Sequence, residues 1–137
     1  MFEYHGWVTI GVSAADDDET ALLDRIVERV RRAVRDFGDI DLVDLRWANG
    51  VPMLHFAGMD KHGAVMAPEL LELFTRVGTL APGSYGLLHV WDDQDLQHDN
   101  EFRVHRMARG QVTELADTYL SPVAPVIVDV YPEFDTE

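Results

Sequence analysis

The stretch that decides the fold is Val43-Asp44-Leu45-Arg46-Trp47-Ala48-Asn49-Gly50-Val51-Pro52-Met53-Leu54-His55-Phe56-Ala57-Gly58. Its first half alternates apolar and charged residues, which is the period of a β-strand, and its second half is a strand-like apolar run. Asn49 and Gly50 separate the halves, and both tolerate the positive φ angles of a tight two-residue turn. The stretch therefore predicts a β-hairpin. Pro52 has no backbone N–H, so we expect its strand at a sheet edge or the proline at the strand's start.

A helix is predicted on each side of this hairpin. On the N-terminal side, apolar residues recur at three- and four-residue spacing: Leu22, Leu23, Ile26, Val27, Val30, Ala33, Val34 and Phe37. The acidic run at residues 16–19 offers N-cap residues, and Gly38 is a suitable stop. On the C-terminal side, Pro68 predicts the first turn of a second helix, which we expect to end at Gly78.

Further strands are predicted before and after these helices. Residues 4–12 and 84–91 have strand character, and a second hairpin is expected at residues 102–116 about Arg109-Gly110. The proline-rich segment 121–125 is expected to lie extended across the surface. The order predicts an α+β fold: a two-layer sandwich with a ferredoxin-like βαββαβ core, both helices on one face, and a C-terminal β-hairpin that extends the sheet. We expect one domain over residues 1–137.

The chain is strongly acidic. Its 137 residues include 25 Asp and Glu against 11 Lys and Arg, for a formal net charge of −14. This balance argues against a nucleic-acid partner, which requires basic residues. No apolar run reaches the roughly 18 residues of a membrane span, so no membrane partner is predicted. The absence of cysteine fits a reducing compartment, and we predict a cytoplasmic location.

The acidity is concentrated in one short segment of the second half. Residues 92–101 contain five carboxylates and no Lys or Arg, and they follow directly on the strand that ends at Trp91. A rigid strand end that holds negative charge predicts a surface for a positively charged partner. The binding residues predicted on this surface are Trp91, Asp92, Asp93, Asp95, Asp99 and Glu101. The plainer alternative is a solvated loop that only joins two strands.

Catalytic patterns are almost absent. There is no cysteine, no Gly-x-Ser-x-Gly and no glycine-rich phosphate loop. Histidines on different predicted strands meet only if the register brings them together, so neither a metal nor any cofactor is predicted. Two other classes stay open: a small metal- or ligand-binding hydrolase using His89, Asp92 and Asp93, and a dimeric regulatory ferredoxin-like module that pairs through sheet or helix faces.

Several stretches together resemble the immunity protein 7 family of bacterial polymorphic toxin systems. They are the strand at residues 4–10, the strand with its acidic end at residues 83–93, the hairpin at Arg109-Gly110, and Tyr119-Leu120-Ser121-Pro122. The resemblance runs over roughly residues 2–132. It implies a non-catalytic immunity protein that binds and neutralises a cognate toxin domain, as a monomer or a homodimer. Nuclease toxins bind polyanions and are typically basic, so the acidity of this chain favours a nuclease as the toxin.

Overall fold

The computed structural model describes residues 1–13, 20–61, 63–117 and 120–122, which form an α+β arrangement of six strands and two helices. Their order is β1 (Phe2–Thr9), α1 (Thr20–Phe37), β2 (Leu42–Ala48), β3 (Val51–Asp60), α2 (Gly63–Leu80), β4 (Tyr85–Asp92), β5 (Arg103–Ala108) and β6 (Gln111–Ala116). The predicted cap at residues 16–19, Tyr119 and positions 123–125 of the tail lie outside the described residues. The α+β class is confirmed.

The six strands form one sheet in the order β2-β3-β1-β4-β5-β6, and every pair of neighbours is antiparallel. The first strand of the chain therefore lies inside the sheet, with β3 on one side and β4 on the other. Gly6 of β1 stands opposite both Phe56 and Leu88. Strands β5 and β6 continue the sheet beyond β4, while β2 is the outer strand at the far edge.

Both predicted hairpins are confirmed at their turns. Asn49 and Gly50 have φ angles of 52° and 76°, and Arg109 and Gly110 have φ angles of 49° and 73°. Two consecutive positive φ angles are the signature of a type I′ turn, whose twist matches that of the strands it joins. Pro52 is the second residue of β3, which is an inner strand, so the proline stands at the strand's start.

The limits predicted for the second helix are wrong at both ends. Pro68 is the sixth residue of α2, and the helix continues through Gly78 to Leu80. A proline this close to the N-terminus removes only the bond from its missing N–H to the carbonyl of residue 64. Tertiary packing outweighs that loss, because Leu70, Phe74 and Val77 are almost fully buried.

The core is one cluster of buried side chains to which the sheet and both helices contribute. Even-numbered residues of β1 and β3 point into it, and odd-numbered residues point to the other, open face. The buried side chains come from strands and helices alike: Phe2, Tyr4, Val8, Leu54, Phe56 and Leu88 from the sheet, and Ile26, Val27, Val30, Leu70, Phe74 and Val77 from the helices. None of the elements built from described residues covers the open face.

Two glycines let α2 contact the last hairpin directly. A Cβ atom on Gly78 would overlap the carbonyl oxygen of Gly110, and one on Gly110 would overlap the carbonyl oxygen of Gly78. The N–H of Gly110 also donates to the carbonyl of Ser84, with a donor–acceptor distance of 2.9 Å. The β5–β6 turn thus lies directly against the backbone of α2 at Gly78, and its Gly110 N–H bonds to the segment that follows the helix.

Candidate functional site

The acidic segment forms the connection between β4 and β5. We call residues 92–101 the acidic loop. It begins where β4 ends, beside the start of β1, because Phe2 is the register partner of Asp92. The side chains of Asp93, Asp95 and Asp99 are exposed, and those of Asp92 and Glu101 are half-buried. This end of the sheet thereby carries five carboxylates within ten residues.

Local hydrogen bonds fix the path of the acidic loop. The indole N–H of Trp91 donates to the carbonyl of Asp99 at 2.7 Å, which ties the start of the loop to its end. The Asp92 carboxylate accepts from the N–H of Gln94 at 3.0 Å, and the Asp95 carboxylate accepts from the N–H of Gln97 at 3.1 Å. These are the self-contained turns that aspartate favours. A loop ordered in this way loses little further conformational entropy when a partner binds.

The carboxylates of the acidic loop differ in how far nearby cations neutralise them. Asp93 lies 2.6 Å from the Met1 ammonium, and Glu101 lies 3.4 Å from Arg103. A hydrogen bond from His98 lowers the pKa of Asp95. Asp99 forms no ion pair within the part of the chain that the structure describes. Asp95 and Asp99 are the exposed acids not bound to a permanent cation.

Two features of this region escaped the sequence analysis. Leu96 lies in the middle of the acidic loop and is 90% exposed, so an apolar side chain stands among the carboxylates. Trp91 is half-buried, and its ring N–H donates to the Asp99 carbonyl within the loop, so the side chain helps to hold the loop in shape. No sequence pattern signals either feature, because both depend on how the loop folds back on itself.

The open face of the sheet carries a second candidate surface. A concavity of about 440 Å³ is lined by Trp7, Leu42, Asp44 and the histidines His5, His55 and His89. The register brings these histidines near one another: His5 stands opposite His89, and His55 stands opposite Trp7. Trp7 also packs edge-on against Tyr85, with ring centroids 6.2 Å apart. The face is aromatic and weakly polar rather than acidic.

The structure does not assemble the hydrolase site that His89, Asp92 and Asp93 were considered to form. His89 and Asp92 are three residues apart on one strand, so their side chains point to opposite faces of the sheet. The His89 ring packs against Phe102, and the Asp93 carboxylate binds the Met1 ammonium. Within the described ranges, no group of three or more His, Asp and Glu side chains is placed to hold a metal ion.

The structure thus defines an α+β protein that presents an acidic loop, held by local hydrogen bonds, at one end of its sheet. The model of one family, described as immunity protein 7, matches residues 1–129. This chain belongs to the immunity protein 7 family. Membership implies an immunity protein of a toxin system, whose partner is a toxin. Neither a curated protein nor a solved structure matches the chain.

A helix that crosses a membrane must be both long and apolar. Neither α1 nor α2, as far as their residues are described, is both long and apolar enough to cross a bilayer. The cytoplasmic location stays a prediction from the sequence.

Proposed function

We propose that this protein neutralises a cognate polymorphic toxin domain by binding it through the acidic loop, without catalysis, and that the toxin is a basic nuclease. The observation that carries the proposal is the concentration of ordered, exposed carboxylates at residues 92–101 in a member of an immunity family. A nuclease must attract a polyanion, so its active face is positively charged. A fixed array of carboxylates is complementary to that face.

The charge of the whole chain supports the same partner. A formal net charge of −14 repels nucleic acid and attracts a basic protein over long distances. Electrostatic attraction of this kind acts mainly on the association rate. The proposed binding residues are Trp91, Asp92, Asp93, Asp95, Asp99 and Glu101, with the carboxylates guiding the encounter and Trp91 holding the loop in shape.

The site is tested with two variants of equal charge. The loop variant carries Asp→Asn at positions 92, 93, 95 and 99. The matched control carries Asp24→Asn, Asp36→Asn, Glu69→Gln and Glu72→Gln, all exposed residues on the helices. The probe is a cognate toxin domain, to be sought first as the C-terminal domain of a large secreted protein encoded by a neighbouring gene.

At low salt we expect the loop variant to associate with the probe about tenfold or more slowly than the control, because a local field steers the encounter more than net charge does. The difference should shrink at about 0.15 M salt, where the Debye length is about 8 Å. Equal rates for both variants would place the binding surface elsewhere, with the open face next to be tested. Absence of any complex and of any rescue on co-expression would overturn the immunity function for that pair.

The partner's chemistry has its own test. If the purified probe degrades DNA or RNA, and this protein stops the degradation at equimolar amounts, the nuclease part of the proposal stands. A probe that kills cells without cleaving nucleic acid contradicts it, while the immunity function survives.

We also propose that β1–β4 with α1 and α2 form a ferredoxin-like βαββαβ unit in a two-layer sandwich. The order of elements along the chain supports this, and so does a core to which both helices and one sheet face contribute. An experimental structure with the helices on opposite faces of the sheet would contradict it.

A further inference from the structure

Strand β2 is an edge strand, and its outer side is uncovered in the part of the chain that the structure describes. Six of its seven residues are exposed, and only Leu45 is half-buried. Its inner side pairs with β3, and no strand among the described residues pairs with its outer side. Edge strands are normally guarded by charged side chains, above all lysine, by proline, by a bulge or by a covering segment. The two charged residues of β2, Asp44 and Arg46, are of opposite sign and pair with each other, so they do not repel a second copy of the strand. The residues of β2 include neither lysine nor proline, and Leu42, Val43 and Trp47 are 67%, 49% and 40% exposed.

The sequence of β2 is complementary to itself when read in reverse. Around the central Leu45 stand Asp44 on one side and Arg46 on the other, and apolar residues follow in both directions. In an antiparallel pair centred on Leu45, each Asp44 faces Arg46 of the other copy. Val43 then faces Trp47, and Leu42 faces Ala48. Opposite charges and apolar pairs in directly facing positions are the contacts that stabilise a sheet.

We propose that two copies of this chain associate through their β2 strands, antiparallel and in the register that places Leu45 opposite Leu45. The contact is isologous, because the same surface of each copy serves both sides of a two-fold axis. It joins two six-stranded sheets into one of twelve. This inference goes beyond the proposed function and does not depend on it.

Both faces of the extended sheet fit this register. On the helix side, Leu45 is the register partner of Leu54, so the pairing would continue the buried leucine row across the axis. On the open side, Asp44 and Arg46 of one strand are already bound at 2.9 Å. Pairing places Arg46 of the second copy beside Asp44 of the first, and Asp44 of the second copy beside Arg46 of the first. Four alternating charges then meet at the axis.

The proposed contact leaves the acidic loop free. The loop joins β4 to β5, and β4 is separated from β2 by two strands. At about 4.8 Å per strand, that is roughly 14 Å across the sheet from β2 to β4. A dimer would therefore carry two separate acidic loops, neither of them covered by the contact.

Charge reversal tests the register. Asp44→Arg places arginine opposite arginine twice, and Arg46→Asp places aspartate opposite aspartate twice. We expect each single change to weaken the dimer by about tenfold or more. The double variant, Asp44→Arg with Arg46→Asp, restores both pairs and should dimerise like the unchanged chain. Sedimentation equilibrium at about 0.15 M salt measures all four proteins, since screening at that ionic strength reduces the repulsion between the net charges. Circular dichroism confirms that each variant is folded.

A cross-link gives an independent readout, because the chain has no cysteine of its own. Leu45→Cys places two thiols directly opposite each other, within the range a disulfide can span. The matched control is Val43→Cys, whose two copies would lie roughly 14 Å apart along the strands. We expect mild oxidation to cross-link the first variant and not the second. A monomer up to millimolar concentration, a double variant as weak as the single ones, or equal cross-linking of both cysteine variants would each overturn the proposal.

Discussion

The hydrogen bond from the Trp91 indole to the Asp99 carbonyl joins the start of the acidic loop to its end. We predict that Trp91→Phe lowers the free energy of unfolding by about 0.5–1.5 kcal/mol, because a phenyl ring replaces the indole and cannot donate this hydrogen bond. The larger effect should be local: backbone amides of residues 94–99 should exchange hydrogen faster, because the ends of the loop are no longer tied.

Trp7→Phe is the control for this experiment. It makes the same chemical change on the same face of the sheet, and the Trp7 ring forms no hydrogen bond with a described residue. It should leave exchange in the acidic loop unchanged. Loop exchange that is equally slow in both variants would show that the turns at Asp92 and Asp95 hold the loop without Trp91.

A buried histidine makes stability depend on pH. His105 is 8% exposed, and burial lowers its pKa from the ordinary 6.5, against a raising effect of Glu114 and a further lowering by Arg103. Below about pH 6.5 the unfolded chain therefore binds a proton that the folded chain does not. The free energy of unfolding should fall as pH drops through this window, and the fall should level off below the folded pKa.

Urea denaturation of the protein and of His105→Gln, between about pH 7.5 and 5.5, measures this contribution. The variant should show a flatter dependence, and His55→Gln, an exposed control, should behave like the unchanged protein. The pair of Glu114 and Arg103 does not interfere, because the lowered pKa of Glu114 costs stability only as pH falls below its ordinary 4.5. Identical slopes for all three proteins would contradict the prediction.

At the scale of elements, the contact between α2 and the β5–β6 turn predicts that Gly78→Ala changes stability in the direction opposite to that of an ordinary Gly→Ala substitution in a helix. Gly→Ala inside a helix normally stabilises by about 1 kcal/mol. We expect Gly78→Ala to destabilise by about 1–3 kcal/mol instead, because the added methyl overlaps the Gly110 carbonyl and must push the turn away. Thr75→Ala, an exposed change on the same helix, should be neutral or slightly stabilising. A more stable Gly78→Ala protein in thermal or urea unfolding would mean that the turn is not held against the helix.

These same elements show what the sequence could predict. The two turns were predictable, because Asn49-Gly50 places two residues that tolerate positive φ between strand-like runs and Gly110 supplies one such residue in the second hairpin. The start and end of α2 were not. Local sequence rules predict a helix start at Pro68 and a helix end at Gly78. Both residues lie within α2, because long-range packing of the helix determines where it begins and ends. The strand order was equally hidden, since β1 pairs with strands that lie 42 or more residues further along the chain.

At the scale of the whole molecule, net charge should oppose folding. A chain with a formal charge of −14 repels itself more when compact. Raising salt from about 0.01 M to about 0.15 M shortens the Debye length from about 30 Å to about 8 Å. We therefore predict that the melting temperature rises over this range. Sodium and potassium chloride should act alike in calorimetry, which excludes binding of a particular cation, and a falling melting temperature would show that ion pairs such as Arg103–Glu114 outweigh the repulsion.

The candidate site was predictable only in part. The position of the carboxylates followed from the sequence, because residues 92–101 directly follow a strand. Their ordering did not, since the Trp91–Asp99 bond, the turns and the Met1–Asp93 pair depend on the folded loop. Which of the two surfaces binds, the acidic loop or the open face, depends on the shape and charge of the toxin's own surface, and the sequence of this chain does not contain that information.

The place of β1 inside the sheet has a consequence for the newly synthesised chain. This strand is synthesised before either of its neighbours, and the second of them, β4, begins 76 residues after β1 ends. At about 5–20 residues per second, β1 waits about 4–15 s before the sheet can close around it. Nascent chains stalled shortly after β3 should therefore remain sensitive to protease, whereas chains stalled after β6 should resist it. Because the acidic loop follows β4, a chain stalled after β3 also lacks the proposed binding surface.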